Sequence, residues 1–167
     1  MRRVLFVFMI IALFAVPLFA QEAAVEEEDG SASLGMYYTV GEFNMIGLHF
    51  QKWFGNHGLM ISAGITDGNM SAIVEYEYCI YKARFTDTLN SKLYLWLMGG
   101  PHFVNEHVWS EPEHDNFYVN GVTALGVGME FVWWKHLSVP VQFGYVITYP
   151  HNVSCSFCFA SGIRYRF

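Results

Sequence analysis

HLSVPVQFGYVITY, residues 136–149, alternates without a break: Leu137, Val139, Val141, Phe143, Tyr145, Ile147 and Tyr149 take turns with Ser138, Pro140, Gln142, Gly144, Val146 and Thr148. A period of two puts the first set on one face of a β-strand and the second on the other. One face is bulky and apolar, the other small or weakly polar. Which of the two faces inward decides the fold.

The same design recurs along the chain. GVTALGVGMEFVW (121–133) sets Leu125, Val127, Met129, Phe131 and Trp133 against Gly126, Gly128 and Glu130. SAIVEYEYCIY (71–81) sets Val74, Tyr76, Tyr78 and Ile80 against Glu75, Glu77 and Cys79, and MIGLHFQKWF (45–54) sets Ile46, Leu48, Phe50 and Phe54 against Gly47, His49 and Gln51. SLGMYYTV (33–40), LMISAGIT (59–66) and the last residues, with Phe157, Phe159, Ile163, Tyr165 and Phe167 opposite Ser156, Ala160, Gly162, Arg164 and Arg166, complete the clear cases. KLYLWLMGGPHF (92–103) reads as a strand by composition, but both its faces are bulky and its orientation stays open. Between these segments stand turn-like stretches such as FGNHG, TDGNM, WKH and PHN and one long connection, NEHVWSEPEHDN (105–116). Eight strands with short connections predict an all-β, up-and-down antiparallel barrel.

Soluble and membrane barrels share this alternation. A soluble lipocalin-like binding barrel keeps its apolar residues inside and covers its exterior with charge. Charged residues make up only 14% of this chain, against about 25% in ordinary soluble domains. A face of Gly, Ser, Thr, Gln and Ala suits the crowded lumen of a narrow barrel instead, leaving the bulky face to hydrocarbon. Aromatics gather near the expected strand ends, with Trp53, Phe54, Trp133, Trp134, Tyr165 and Phe167 on one side and Tyr37, Tyr38, Phe43, Phe103, Trp109, Phe117, Tyr118 and Tyr149 on the other, as membrane girdles require. The fold expected is therefore a transmembrane eight-stranded β-barrel over residues 34–167.

The final residues, GIRYRF, place an aromatic two before a terminal aromatic and a glycine three before the first of them. This resembles the C-terminal signal of bacterial outer-membrane β-barrel proteins, with Gly162, Tyr165 and Phe167 in the matching positions. The resemblance implies a small outer-membrane barrel whose last strand is read by the outer-membrane barrel-assembly machinery, in a bacterium with two membranes. Ala160 departs from the polar residue often found two before the glycine.

Export is expected independently. Arg2 and Arg3 precede the uncharged run Val4 to Ala20, followed by QEAAVEEEDG, which is the layout of a signal peptide cut after Ala20, although Leu18 is larger than the cleavage pattern prefers. Residues 21–33 read as an acidic flexible segment. Loss of residues 1–20 takes two of nine Lys and Arg and none of fifteen acids, leaving seven cations against fifteen acids, a net −8. No basic face is available for phosphates, so nucleic acid is excluded as a partner. Cys79, Cys155 and Cys158 do not form a disulfide framework, and on a strand the spacing of CSFC (155–158) sends its two thiols to opposite faces.

With both barrel ends in the periplasm, the cations fall near the inner strand ends, where Lys82 and Arg84 are expected to snorkel to headgroups. Glu75, Glu77, Glu130, Arg164 and Arg166 project into the lumen by parity, and read as an ionic network that fills the barrel together with Tyr81. Glu106, His107, Glu111, Glu113, His114 and Asp115 form an acidic surface loop without dedicated metal spacing. His136 and Ser138, placed on one face, resemble the His-x-Ser of lipid A deacylases but have no partner acid. The expected function is non-enzymatic and without cofactor: a barrel lying among outer-membrane lipids that acts structurally or by surface contact with an extracellular ligand of unknown identity. A narrow small-solute channel and a lipid-modifying enzyme are the alternatives.

Overall fold

The computed structural model describes residues 31–41, 44–66, 69–107, 115–151 and 153–167. The expected signal peptide, residues 21–30, Trp109, Glu111, Glu113, His114 and the side chains of Glu106, His107 and Asp115 lie outside the described parts. Eight strands run in order: β1 (Ala32–Val40), β2 (Met45–Phe54), β3 (His57–Thr66), β4 (Asn69–Arg84), β5 (Leu89–His107), β6 (Asp115–Trp133), β7 (Leu137–Tyr149) and β8 (Ser154–Arg166). Each pairs antiparallel with the next, and β1 pairs with β8 from Ser33 opposite Arg166 to Val40 opposite Phe159, so the sheet closes. Closure pairs both edges of the sheet, which a strand structure in lipid requires.

The alternation sorts as the apolar-out reading demands. Along β7, Ser138, Pro140, Gln142, Gly144, Val146 and Thr148 are buried, while Tyr145, Ile147 and Tyr149 are exposed. Leu48 (60% exposed), Leu125 (58%) and Ile163 (62%) stand on the outside. A water-soluble protein could not leave such a belt bare. Thirteen residues of β7, tilted by about 40°, cross the ~25 Å hydrocarbon layer of a membrane barrel.

Four expectations are corrected. The connection at 105–116 is shorter than it reads, because β5 continues to His107 and β6 starts at Asp115. Phe103 stacks on Phe117 at 6.3 Å, and such cross-strand aromatics hold a ribbon together. Tyr81 does not share a face with Cys79. The β4–β5 register slips between Cys79 and Tyr81, so Ile80 is an extra residue and Tyr81 falls opposite Leu93, between the buried Lys92 and Tyr94. Tyr37 and Trp53 are not girdle residues but lumen residues, 7% and 3% exposed, because both share inward parity with His49 and Gln51. Finally, His136 and Ser138 do not share a face: the hairpin turn leaves His136 outside, stacked on Tyr165, and Ser138 inside.

The open orientation of residues 92–103 also resolves. Lys92, Tyr94, Trp96 and Met98 point inward and Leu95 and Leu97 outward. Both faces are bulky because β5 supplies the large side chains that β6 and β7, with Gly128 and Gly144, leave room for.

Candidate functional site: the barrel lumen

Arg164 is the hub. Gly35 of β1 lies in register between His49 of β2 and Arg164 of β8, and with no side chain in the way the Arg164 Nε–H reaches across to His49 Nε2 at 2.9 Å. Its Nη1 donates to Glu130 Oε1 at 3.4 Å, and its Nη2 lies 4.0 Å from Glu77 Oε1 and 3.4 Å from Met60 Sδ. With Nε2 accepting from Arg164, the His49 proton sits on Nδ1, and the ring stacks on Tyr37 at 5.1 Å.

Amides hold carboxylate oxygens that Arg164 does not reach. Gln51 Nε2 donates to Glu77 Oε2, and Ser33 Oγ donates in turn to Gln51 Oε1 at 3.2 Å. Gln142 Nε2 donates to Glu75 Oε1. Towards the end that carries both termini, Lys92 Nζ lies 4.2 Å above the Trp53 ring, and Arg166 donates to Ser31 Oγ at 2.6 Å. All five charged residues read from parity thus lie inside, at 7% exposure or less. Arg164 joins Glu77 and Glu130, whereas Glu75 and Arg166 have other partners.

Sequence reasoning placed His49, Gln51 and Gln142 on the inner face without giving them a part in this network. Their signal was inward parity combined with a polar group that cannot be left bare in a barrel this narrow. Lys92 carried no such signal, since its strand is bulky on both sides.

The three residues of the C-terminal pattern occupy different places. Gly162 faces inward beside Tyr37, and a Cβ there would stand 2.3 Å from Met36 O and 2.9 Å from Tyr37 Cα. Tyr165 and Phe167 are exposed on the outside. Phe167 N donates to Ala32 O at 2.9 Å. Among the described residues no group of His, Cys, Asp or Glu is arranged to hold a metal ion. Cys155 is exposed and Cys158 buried, on opposite faces.

Within the lumen a cavity of about 20 Å³ lies between Tyr37, Met45, Met60, Glu75, Trp96 and Gln142, enough for about one water molecule.

No family model matches the chain, and no curated protein matches it. Among solved structures, the N-terminal β-barrel domain of Pseudomonas aeruginosa OprF superimposes with a TM-score of 0.66 at 9% identity, over 83% of this chain and 98% of that one. Outer membrane protein H (OprH) of P. aeruginosa gives a TM-score of 0.61 at 13% identity, over 82% and 99%. This chain has the fold of the small bacterial outer-membrane β-barrels. At such identities the likeness extends to the fold alone, and what fills the lumen is this chain's own.

Proposed function

We propose that this protein is an outer-membrane barrel whose lumen is closed by its own side chains and which acts structurally or through surface contacts at its loop end. The observation that carries this reading is the packing at mid-barrel, where Tyr94, Glu77, Glu130 and Arg164 are all 0–1% exposed. Residues 1–20 serve as the export signal, and the acidic segment expected over 21–33 serves as a flexible arm only up to the start of β1 at Ala32. Gly162, Tyr165 and Phe167 are the positions read by the barrel-assembly machinery, and outer-membrane lipids surround the apolar belt.

The contact surface is the β5–β6 ribbon with its acidic tip, which includes Glu106, His107, Glu111, Glu113, His114 and Asp115. The ribbon outgrows its neighbours. The last residue of β5 paired with β4 is Phe103, and that of β6 paired with β7 is Gly121. Beyond them, among the described residues, the two strands pair only with each other, presenting Phe117 at 66% exposure.

Reconstitution of the refolded protein in planar bilayers tests the closed lumen: no steady single-channel openings are expected, and regular openings select the small-solute channel instead. Unchanged lipid A masses after expression are expected of a non-enzymatic barrel.

A further inference from the structure

The inner face is not uniform along the barrel. On strand after strand, moving from the loop end to the end that carries the termini, the inward residues pass from apolar to ionic. β4 passes from Ile73 to Glu75 and Glu77, β6 from Ala124 to Glu130, and β8 from Cys158 to Arg164. Met45, Ile73, Met98, Val122, Ala124 and Val146 are 0–9% exposed and face inward. Still nearer the loop end the inner face is polar again, with Ser71, Asn120 and Thr148. The charged residues therefore lie on one side of an apolar layer, and the loop mouth on the other.

The ionic side has polar groups that the protein leaves unmatched. His49 Nδ1, Trp53 Nε1 and Tyr94 OH are buried donors with no hydrogen-bond partner among the described residues, and their residues are 2%, 3% and 0% exposed. Buried donors in native proteins are matched by ordered water where the protein itself does not match them. The six apolar side chains of the layer carry no such group, although the unmatched Ser156 Oγ stands opposite Val146, and water placed among them would lack the two to four polar partners it needs.

We infer that the lumen is a one-sided hydrated chamber. Ordered waters bind among His49, Trp53, Tyr94 and the Arg164 network, and the layer from Met45 to Val146 is the septum that seals the barrel. The inference rests on the closed-barrel reading and moves the seal away from the ion pairs. An ion crossing the septum would shed its water and meet no charge or dipole in exchange.

Two experiments on the full chain test it. X-ray hydroxyl-radical labelling of the refolded native protein, which marks side chains beside bound water, is expected to oxidise Trp53 and Tyr94 despite their burial. Absence of label at both would mean a dry chamber and overturn the inference. In planar bilayers, Glu130→Gln is expected to stay as silent as the native protein, and Met98→Ser combined with Val146→Ser to give steady openings. Openings from Glu130→Gln, or silence from a correctly refolded septum variant, would overturn the assignment of the seal. Openings from the native protein would defeat the closed-barrel reading itself, a separate result. A septum variant that does not refold leaves the labelling experiment to decide.

Discussion

Tyr94 lies across Gly128 and Trp96 across Gly144, so closely that a Cβ at 128 would stand 2.5 Å from the Tyr94 ring and one at 144 would stand 2.6 Å from the Trp96 ring. The aromatic and the glycine opposite it are one packing unit. Gly128→Ala is therefore expected to destabilise the barrel by about 1–3 kcal/mol, the usual cost of overfilling a packed interior, measured by urea unfolding in lipid vesicles. Charge is distributed with the same economy. Removing the Glu130 carboxylate leaves the Arg164 guanidinium buried with a 4.0 Å approach to Glu77 and a neutral imidazole. Glu130→Ala should cost about 3–5 kcal/mol, whereas Glu130→Leu combined with Arg164→Met, which removes both charges, should cost less than either change alone. A double variant worse than both single ones would show that the pair stabilises on balance.

At the scale of the strand, β7 offers the cleanest contrast between the two faces. Phe143 meets Phe157 and Phe159 on the outside at ring distances of 6.3 and 5.2 Å, while its neighbour Gln142 bonds Glu75 inside. Phe143→Lys is expected to cost about 2–4 kcal/mol in a bilayer, and Gln142→Lys to be limited by space rather than by charge. A spin label at 143 should be quenched by lipid-soluble oxygen and shielded from a water-soluble nickel reagent; the reverse would invert the barrel's faces. β5 and β6 give a different expectation, because beyond Phe103 and Gly121 their described residues form strand pairs with each other and not with β4 or β7. Replacing 105–117 by a short turn should change unfolding stability by no more than about 0.5 kcal/mol. These two cases also mark what the sequence made legible. Period-two alternation is a property of single strands, so β7 could be read to its end residues, and Glu75, Glu130 and Arg164 could be turned inward. Register is a property of pairs, and it decided the rest. The extra residue at Ile80 re-aims Tyr81, and the extension of β5 and β6 depends on aromatics that meet only across strands. Trp53 looked like a membrane-interface residue by type, yet its neighbours Lys92 and Tyr94 come from another strand and claim it for the lumen.

For the whole molecule, the decisive contact is the seam. Deleting Phe167 removes the residue next to the last strand and both of its reciprocal backbone bonds with Ala32, at 2.9 and 3.2 Å. Less protein is expected in the outer-membrane fraction of expressing cells, and undiminished insertion would show that the terminal aromatic is dispensable. Loss of insertion alone does not separate a strand that closes poorly from a strand that goes unrecognised. The reciprocal bonds offer a way to separate them, because they make Ala32 and Phe167 neighbours in the sheet like any residues flanking a hairpin. A ring of eight strands has no intrinsic first member. The sequence can then be circularly permuted: Phe167 joined to Ala32 through a short linker, the chain reopened in the turn at Trp134–Lys135, where both residues hold left-handed backbone angles (φ 50° and 66°) that only the closed hairpin imposes, and residues 1–20 placed before the new start so that export is retained. Such a permutant keeps the strand neighbours while moving the aromatic ending into the middle of the chain. Refolding in detergent with failure to insert in cells would assign the ending to recognition; success in both would assign it to geometry.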